Sequence, residues 1–202
     1  MSNELQIEEV GKTWIVRFTR PEIRNPLSVI VLDQLHEIVD KLAVKGNTEG
    51  VIFTGIDSVF ASGADLREIA NITHKTATDF ARRGQDLMAK IAALSQTTTI
   101  AAINGYCFGG ALDLTLACDW RIASANAKFA HPGAGLGIIT GWGGTQRLPR
   151  LVGSANAMEM FFTAEPVTSE HALRIGLIDE ISDDIIADSM AYLSGDGSSN
   201  LV

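Results

Sequence analysis

The chain has 202 residues, 46% hydrophobic and 20% charged, enough for one domain with a sizeable core. Its net charge of −8, with no basic cluster interleaved with aromatics, argues against nucleic acid as a partner. The apolar runs are too short for a membrane span, and Met1-Ser2-Asn3-Glu4 has neither the basic nor the apolar region of a signal peptide, so a cytoplasmic protein is expected.

Residues 5–10 and 13–18 alternate as strands around Gly11-Lys12, a hairpin signal. Two prolines make residues 20–26 a loop. Ser28 can cap a helix in which Leu32, Leu35, Val39 and Leu42 recur at helical spacing. Residues 51–54 read as a short buried strand. Residues 76–94 read as a helix with Phe80, Leu87, Ile91 and Leu94 on one face. A strand at 98–103, a helix at 110–117 and a strand at 120–123 follow. The stretch 129–144 is glycine-rich and reads as a loop. Helices at 144–151, 155–163 and 169–175 lead to a brief strand at 178–181. A last helix over 183–193 runs into a flexible tail at 194–200. Strands alternating with helices predict an α/β fold with parallel pairings.

Two segments concentrate the chemistry: Phe60-Ala61-Ser62-Gly63-Ala64-Asp65-Leu66, and the run from Asn104 through Gly109 and Gly110 to Asp113. Each follows an apolar strand and opens into a helical pattern. A helix start leaves N–H groups unpaired and carries partial positive charge. Two such ends converging make an oxyanion hole for an enolate or a tetrahedral oxyanion. Asp65 is expected to hold its loop by bonding backbone. Trp142 stands in the glycine-rich loop as core or substrate wall, and Tyr106 and Phe108 pack around the site. His74 suggests a pocket lid, His36 and His171 surface or packing positions, and Arg147 a helix anchor. Cys107 and Cys118 have no zinc-ligand spacing and read as buried reduced thiols. A phosphorylated ligand would need local cations, for which Lys12, Arg17, Arg20 and Arg24 are the candidates.

In collinear order over residues 4 to 182, these blocks resemble the crotonase superfamily, the enoyl-CoA hydratase/isomerase family. Arg20-Pro21 with Asn25 and Leu27 resembles one signature, and the two glycine segments resemble the family's oxyanion segments. Gly143-Gly144-Thr145-Gln146-Arg147-Leu148 and Ala172 with Gly176-Leu177-Ile178 are similar to later blocks. The resemblance implies a spiral of ββα units that binds acyl-CoA thioesters, with no cofactor beyond the coenzyme A carried by the substrate and no metal. It implies thioester-oxygen donors at Ser62 and Gly110, and substrate contacts at Ile23, Arg24, Ala64, Asp65, Leu66, Phe108 and Trp142. It also implies a homo-oligomer, a trimer or dimer of trimers, without membrane or nucleic-acid partners.

Two departures qualify that picture. Where the family's hydratases carry two glutamates, this chain has Asp113 and Gly133. Asp113 becomes the leading acid/base candidate, with a helix-dipole role as its alternative, and His131 becomes a substitute base. Residues 1–182 form the expected acyl-CoA-binding core, and 183–202 a short helix and tail in place of longer C-terminal helices. The site is then more open, or covered by another subunit. Hydratase/isomerase chemistry is the first expectation; decarboxylation, hydrolysis and non-catalytic acyl-CoA binding remain open.

Overall fold

The computed structural model describes residues 4–44 and 46–195. In chain order the strands and helices are β1 (Leu5–Val10), β2 (Thr13–Phe18), β3 (Pro26–Leu27), α1 (Val29–Val44), β4 (Gly50–Thr54), β5 (Val59–Ala61), β6 (Gly63–Ala64), α2 (Leu66–Ile69) and α3 (Ala77–Ala92). Then come β7 (Thr98–Ile103), β8 (Tyr106–Phe108), α4 (Gly110–Thr115), β9 (Trp120–Ser124), β10 (Lys128–Ala130), α5 (Gly144–Val152), α6 (Ser154–Thr163), β11 (Val167–Thr168), α7 (Ser169–Arg174), β12 (Glu180–Ser182) and α8 (Ile185–Ser194).

The main sheet has the order β1-β2-β4-β7-β9-β12, with β1 antiparallel to β2 and the rest parallel. A strand turns successive side chains to opposite faces. Trp14, Val16, Phe18, Val51, Phe53, Ala101 and Ile103 therefore join Leu32, Leu35, Leu87 and Ile91 in one core. Ile15, Ile52, Ile100, Ala102 and Ile122 face the other way, where Ile185 joins them with Ile186 and Met190 packed alongside. Burial on both faces explains why β4 reads as an unbroken apolar run.

A second sheet runs β11-β10-β8-β5. The pairs β4/β5, β7/β8 and β9/β10 each place one strand in each sheet, and each pair lies parallel to the next. This is the spiral of ββα units that the resemblance implied. Sequence reasoning missed β3, β5, β6, β8, β10 and β11, each two or three residues long. It also merged β10 and a 3-10 turn at Pro132–Leu136 into one loop. Helix α8 packs against β4, β7, β9 and β12. Of the expected tail, Ser194 ends α8, Gly195 caps it with a left-handed φ of 77°, and 196–200 lie outside the described residues.

Candidate functional site

The loop before β3 is fixed by Asn25. Its Oδ1 accepts from Arg20 N–H at 2.6 Å, and its Nδ2 donates to the carbonyls of Val59 and Phe60 at 3.1 and 3.0 Å. Arg24 and Asn25 both take positive φ, 64° and 47°, which turns the Arg24 carbonyl onto Ser62. Ser62 N–H donates to it at 2.9 Å. That bond corrects the expectation of Ser62 as an oxyanion donor, because its N–H is already spent on protein.

The free donor lies two residues on. β3 and β6 pair in parallel register, Pro26 with Gly63 and Leu27 with Ala64. Proline has no N–H, so Pro26 can pair only through the N–H and C=O of Gly63 itself. Strand alternation then turns the N–H of Ala64 away from β3. Gly63, at φ 87°, backs directly onto the second segment: a Cβ there would stand 2.6 Å from both Gly110 N and Phe108 O. Gly109, at φ 55°, makes the sharp turn into α4 and donates its own N–H to Ala130 O at 2.9 Å. The N–H of Gly110 opens α4 and has no acceptor among the described residues. Ala64 and Gly110 thus line one cleft, of about 220 Å³.

Asp113, one turn into α4, is fully buried. Its Oδ2 accepts the Thr140 hydroxyl and, at 3.3 Å, Trp142 N–H; its Oδ1 has no hydrogen-bond partner. Burial raises the carboxyl from its ordinary 3.8 to about 6, against the lowering effect of the Thr140 hydroxyl, the Trp142 backbone, the Arg147 charge and the nearby backbone N–H of Gly144. His131 is 2% exposed, with a ring centroid 5.0 Å from that of Phe161. Its Nε2 stands 3.7 Å from Asp113 Oδ1, and neither ring nitrogen has a hydrogen bond among the described residues. Burial holds this imidazole down to about 4, so it is neutral at pH 7. Both residues line the cleft beside Ala64 and Gly110.

Gly133 also lines the cleft. A Cβ there would stand 2.5 Å from the Ile138 carbonyl oxygen, which the 3-10 turn brings back over it. Trp142 is both core and wall: its buried indole is wedged between Gly84 and Gly110, tilted against Phe80 at 5.8 Å. The lining includes the apolar residues Leu66, Ile69, Ile72, Leu136, Ile138 and Ile139. Of these only Leu66 was expected. The others lie in stretches without a periodic signal, and Thr140 has no motif to mark it.

Several expected contacts fall elsewhere. Asp65 caps α2, accepting Arg67 N–H at 2.8 Å and pairing with its guanidinium at 2.6 Å, which holds the carboxyl below its ordinary value. That is the loop-holding role, and Asp65 does not line the cleft. Phe108 packs edge-on against Tyr106 and does not line the cleft. Ile23 and Arg24 belong to the turn that engages Ser62, outside the cleft lining. Lys12, Arg17 and Arg20 are paired with Glu49, Glu8 and Glu4, which leaves exposed Arg24 as the cation of that group without an ion pair among the described residues. His74 is exposed and does not line the cleft. Cys107 and Cys118 are buried free thiols, and burial pushes Cys118 up to about 12.

With this geometry in hand, known proteins give a consistent answer. The pattern of the enoyl-CoA hydratase/isomerase family matches residues 10–190. The chain is similar to a crotonyl-CoA hydratase of Syntrophomonas wolfei, 38% identical over 87% of this chain and 67% of that one. It is also similar to a short-chain-enoyl-CoA hydratase of Clostridium acetobutylicum, 36% identical over 89% and 69%. The chain therefore spans about two thirds of these relatives' length. Among solved structures, an enoyl-CoA hydratase of Bacillus anthracis superposes with a TM-score of 0.90 at 30% identity, over 98% of this chain and 78% of that one. Pseudomonas aeruginosa DspI does so with a TM-score of 0.90 at 32% identity, over 96% and 80%.

Proposed function

The chain belongs to the enoyl-CoA hydratase/isomerase family, and from that premise we propose that its cleft holds the thioester oxygen of an acyl-CoA on the N–H groups of Ala64 and Gly110 while Asp113 moves a proton at the α-carbon. The observation that carries this is the position of an unpartnered carboxylate oxygen, Asp113 Oδ1, in the same cleft as the two main-chain segments. Polarising the carbonyl makes the α-proton acidic. The resulting enolate oxygen is stabilised by donors already in place, each worth about 3–4 kcal/mol at the transition state. Asp113, raised to about 6, is ionised at pH 7 and close enough to neutrality both to accept and to return that proton.

The activity is of enoyl-CoA hydratase/isomerase type. Within that type, Gly133 favours steps that run through the α-proton, such as a double-bond shift, over hydration by two opposed carboxylates. The apolar walls favour an uncharged acyl chain. Among the described residues no helix is long and apolar enough to cross a membrane, and we place the protein in the cytoplasm. Met158 and Phe162, exposed one turn apart on α6, support self-association. Calorimetric binding of butyryl-CoA, followed by a co-crystal structure, tests the reading. The thioester oxygen should lie within about 3 Å of the nitrogens of residues 64 and 110; failure to bind any acyl-CoA overturns it.

A further inference from the structure

Two buried titratable side chains face one cleft with their polar atoms unused. Asp113 Oδ1 and His131 Nε2 are 3.7 Å apart, and among the described residues neither has a partner in hydrogen-bond geometry, the Gly144 backbone N–H being the donor that stands near the carboxyl. An unpaired buried polar atom is unfavourable, and here three stand together, counting His131 Nδ1. A separation of 3.7 Å is too long for a direct hydrogen bond. It suits two groups that both bond one water, or both reach one substrate hydrogen. The surroundings fix the pair in place. Oδ2 is held by Thr140 and Trp142 N–H, and Phe161 packs beside the imidazole. The charged or titratable groups that act on Asp113 are Arg147 from α5 and the thiol of Cys107 from β8. Two residues past His131, Gly133 has no side chain, and the Ile138 carbonyl crowds the space one would start from.

We propose that His131 is the second proton-transfer group of this cleft, its Nε2 acting with Asp113 Oδ1 on the same water or substrate proton as one acid/base unit. The inference rests on the thioester reading above and deepens it. In the forward step the Cα–H bond breaks, its electron pair enters the enolate, and the proton bonds to Asp113 Oδ1, the more basic member of the pair, with His131 Nε2 alongside to relay it. In the return step the unit gives a proton back to carbon and the enolate pair re-forms the C–H bond. No electrons are gained or lost. Burial keeps the resting imidazole neutral, so one ring nitrogen can accept a hydrogen bond while the other donates, which lets the ring relay a proton toward the more basic Asp113 carboxylate.

The test is deuterium uptake at the α-carbon of butyryl-CoA in D2O, followed by NMR with the full chain. Wild type should exchange the proton. His131→Gln should slow exchange by about 100- to 10,000-fold while butyryl-CoA affinity changes less than about threefold. Asp113→Asn should do the same or worse, and the double variant should be no slower than the worse single one, as for groups acting as a unit. Wild-type exchange left intact in His131→Gln, or effects that multiply in the double variant, overturns this inference alone. No binding and no exchange by wild type overturns the thioester reading and this inference with it. Should His131→Gln fail to fold, the ring nitrogens of His131 in wild type provide the measurement. Their 15N resonances must move when butyryl-CoA binds, and unmoved resonances at saturation overturn the proposal.

Discussion

The indole of Trp142 lies against the Cα of Gly110, so that a Cβ on residue 110 would overlap its six-membered ring. The other edge of the same indole meets Gly84 on α3. Two glycines on two helices therefore receive one buried ring, and the ring sets where the Gly110 N–H points. Gly110→Ala should lower stability by about 1–3 kcal/mol through overpacking and lower turnover by about 100-fold or more as the donor shifts. Gly84→Ala should cost similar stability, because its Cβ meets the same ring, but far less turnover, because it carries no donor. Urea unfolding with steady-state kinetics on both variants separates the two effects. Equal catalytic loss in both would mean that the position of Gly110 N–H is not what matters.

Gly133 stands where the resemblance puts a second carboxylate, and a direct restoration should fail. A Cβ at 133 meets the Ile138 carbonyl at 2.5 Å, and that oxygen belongs to backbone. Gly133→Glu is expected to lose about 1–3 kcal/mol of stability and to gain no hydration of a short enoyl-CoA, read from the loss of enoyl-thioester absorbance. A gain in hydration rate at wild-type stability would show that the 3-10 turn yields easily and that the missing carboxylate alone sets the reaction.

Thr140 partly offsets the effect of burial on the ionisation of Asp113. Its hydroxyl donates to Oδ2 and so lowers a pKa that burial raises to about 6. Thr140→Val removes the donor and keeps the shape, so the carboxyl should ionise about one pH unit higher. An ionised base is needed for α-proton removal, so the acidic limb of the kcat/KM profile should move to higher pH by that amount. A fall in rate with an unmoved limb would make Thr140 a packing residue only.

The parts of this protein differ in how far they can be read from sequence, for physical reasons. β2, β4 and β7 are legible because long apolar strands buried on both faces leave continuous runs. The second sheet is not, because β5, β8 and β10 have three residues each, too few to show alternation. The two strand-to-helix turns are legible from their glycines. Which N–H in the first turn is free depends on Arg24 and Pro26, in a loop 38 residues earlier by the numbering of Arg24 and Ser62. His131 is visible as a titratable residue, but its approach to Asp113 depends on α4 and α6 packing around it.

The glycine of α5 nearest the acid/base pair has a role of its own. A Cβ on Gly144 would overlap Asp113 Oδ1 and stand 3.1 Å from His131 Cε1, so only glycine lets the helix start pass this close. Gly144→Ala should displace Oδ1, reduce α-proton exchange by about 100-fold, and leave butyryl-CoA binding within about threefold. Normal exchange in this variant would place the working carboxylate oxygen somewhere other than Oδ1.

Burial of the pair also predicts opposed effects of pH on stability. Asp113 has a folded value near 6, above its ordinary 3.8. The native state therefore binds more protons than the unfolded chain between those values, and the contribution of Asp113 is lost as pH rises through about 6. His131 has a folded value near 4, below its ordinary 6.5. Here the unfolded chain binds more protons, and the contribution of His131 is lost as pH falls through about 4. In wild type the two slopes oppose each other across the same window. Relative to wild type, Asp113→Asn should gain stability as pH rises from about 4 to 6, whereas His131→Gln should gain as pH falls from about 6.5 to 4. Chemical denaturation at a series of pH values reads both differences directly. Slopes of the same sign would mean that at least one of these side chains is not buried in the folded protein.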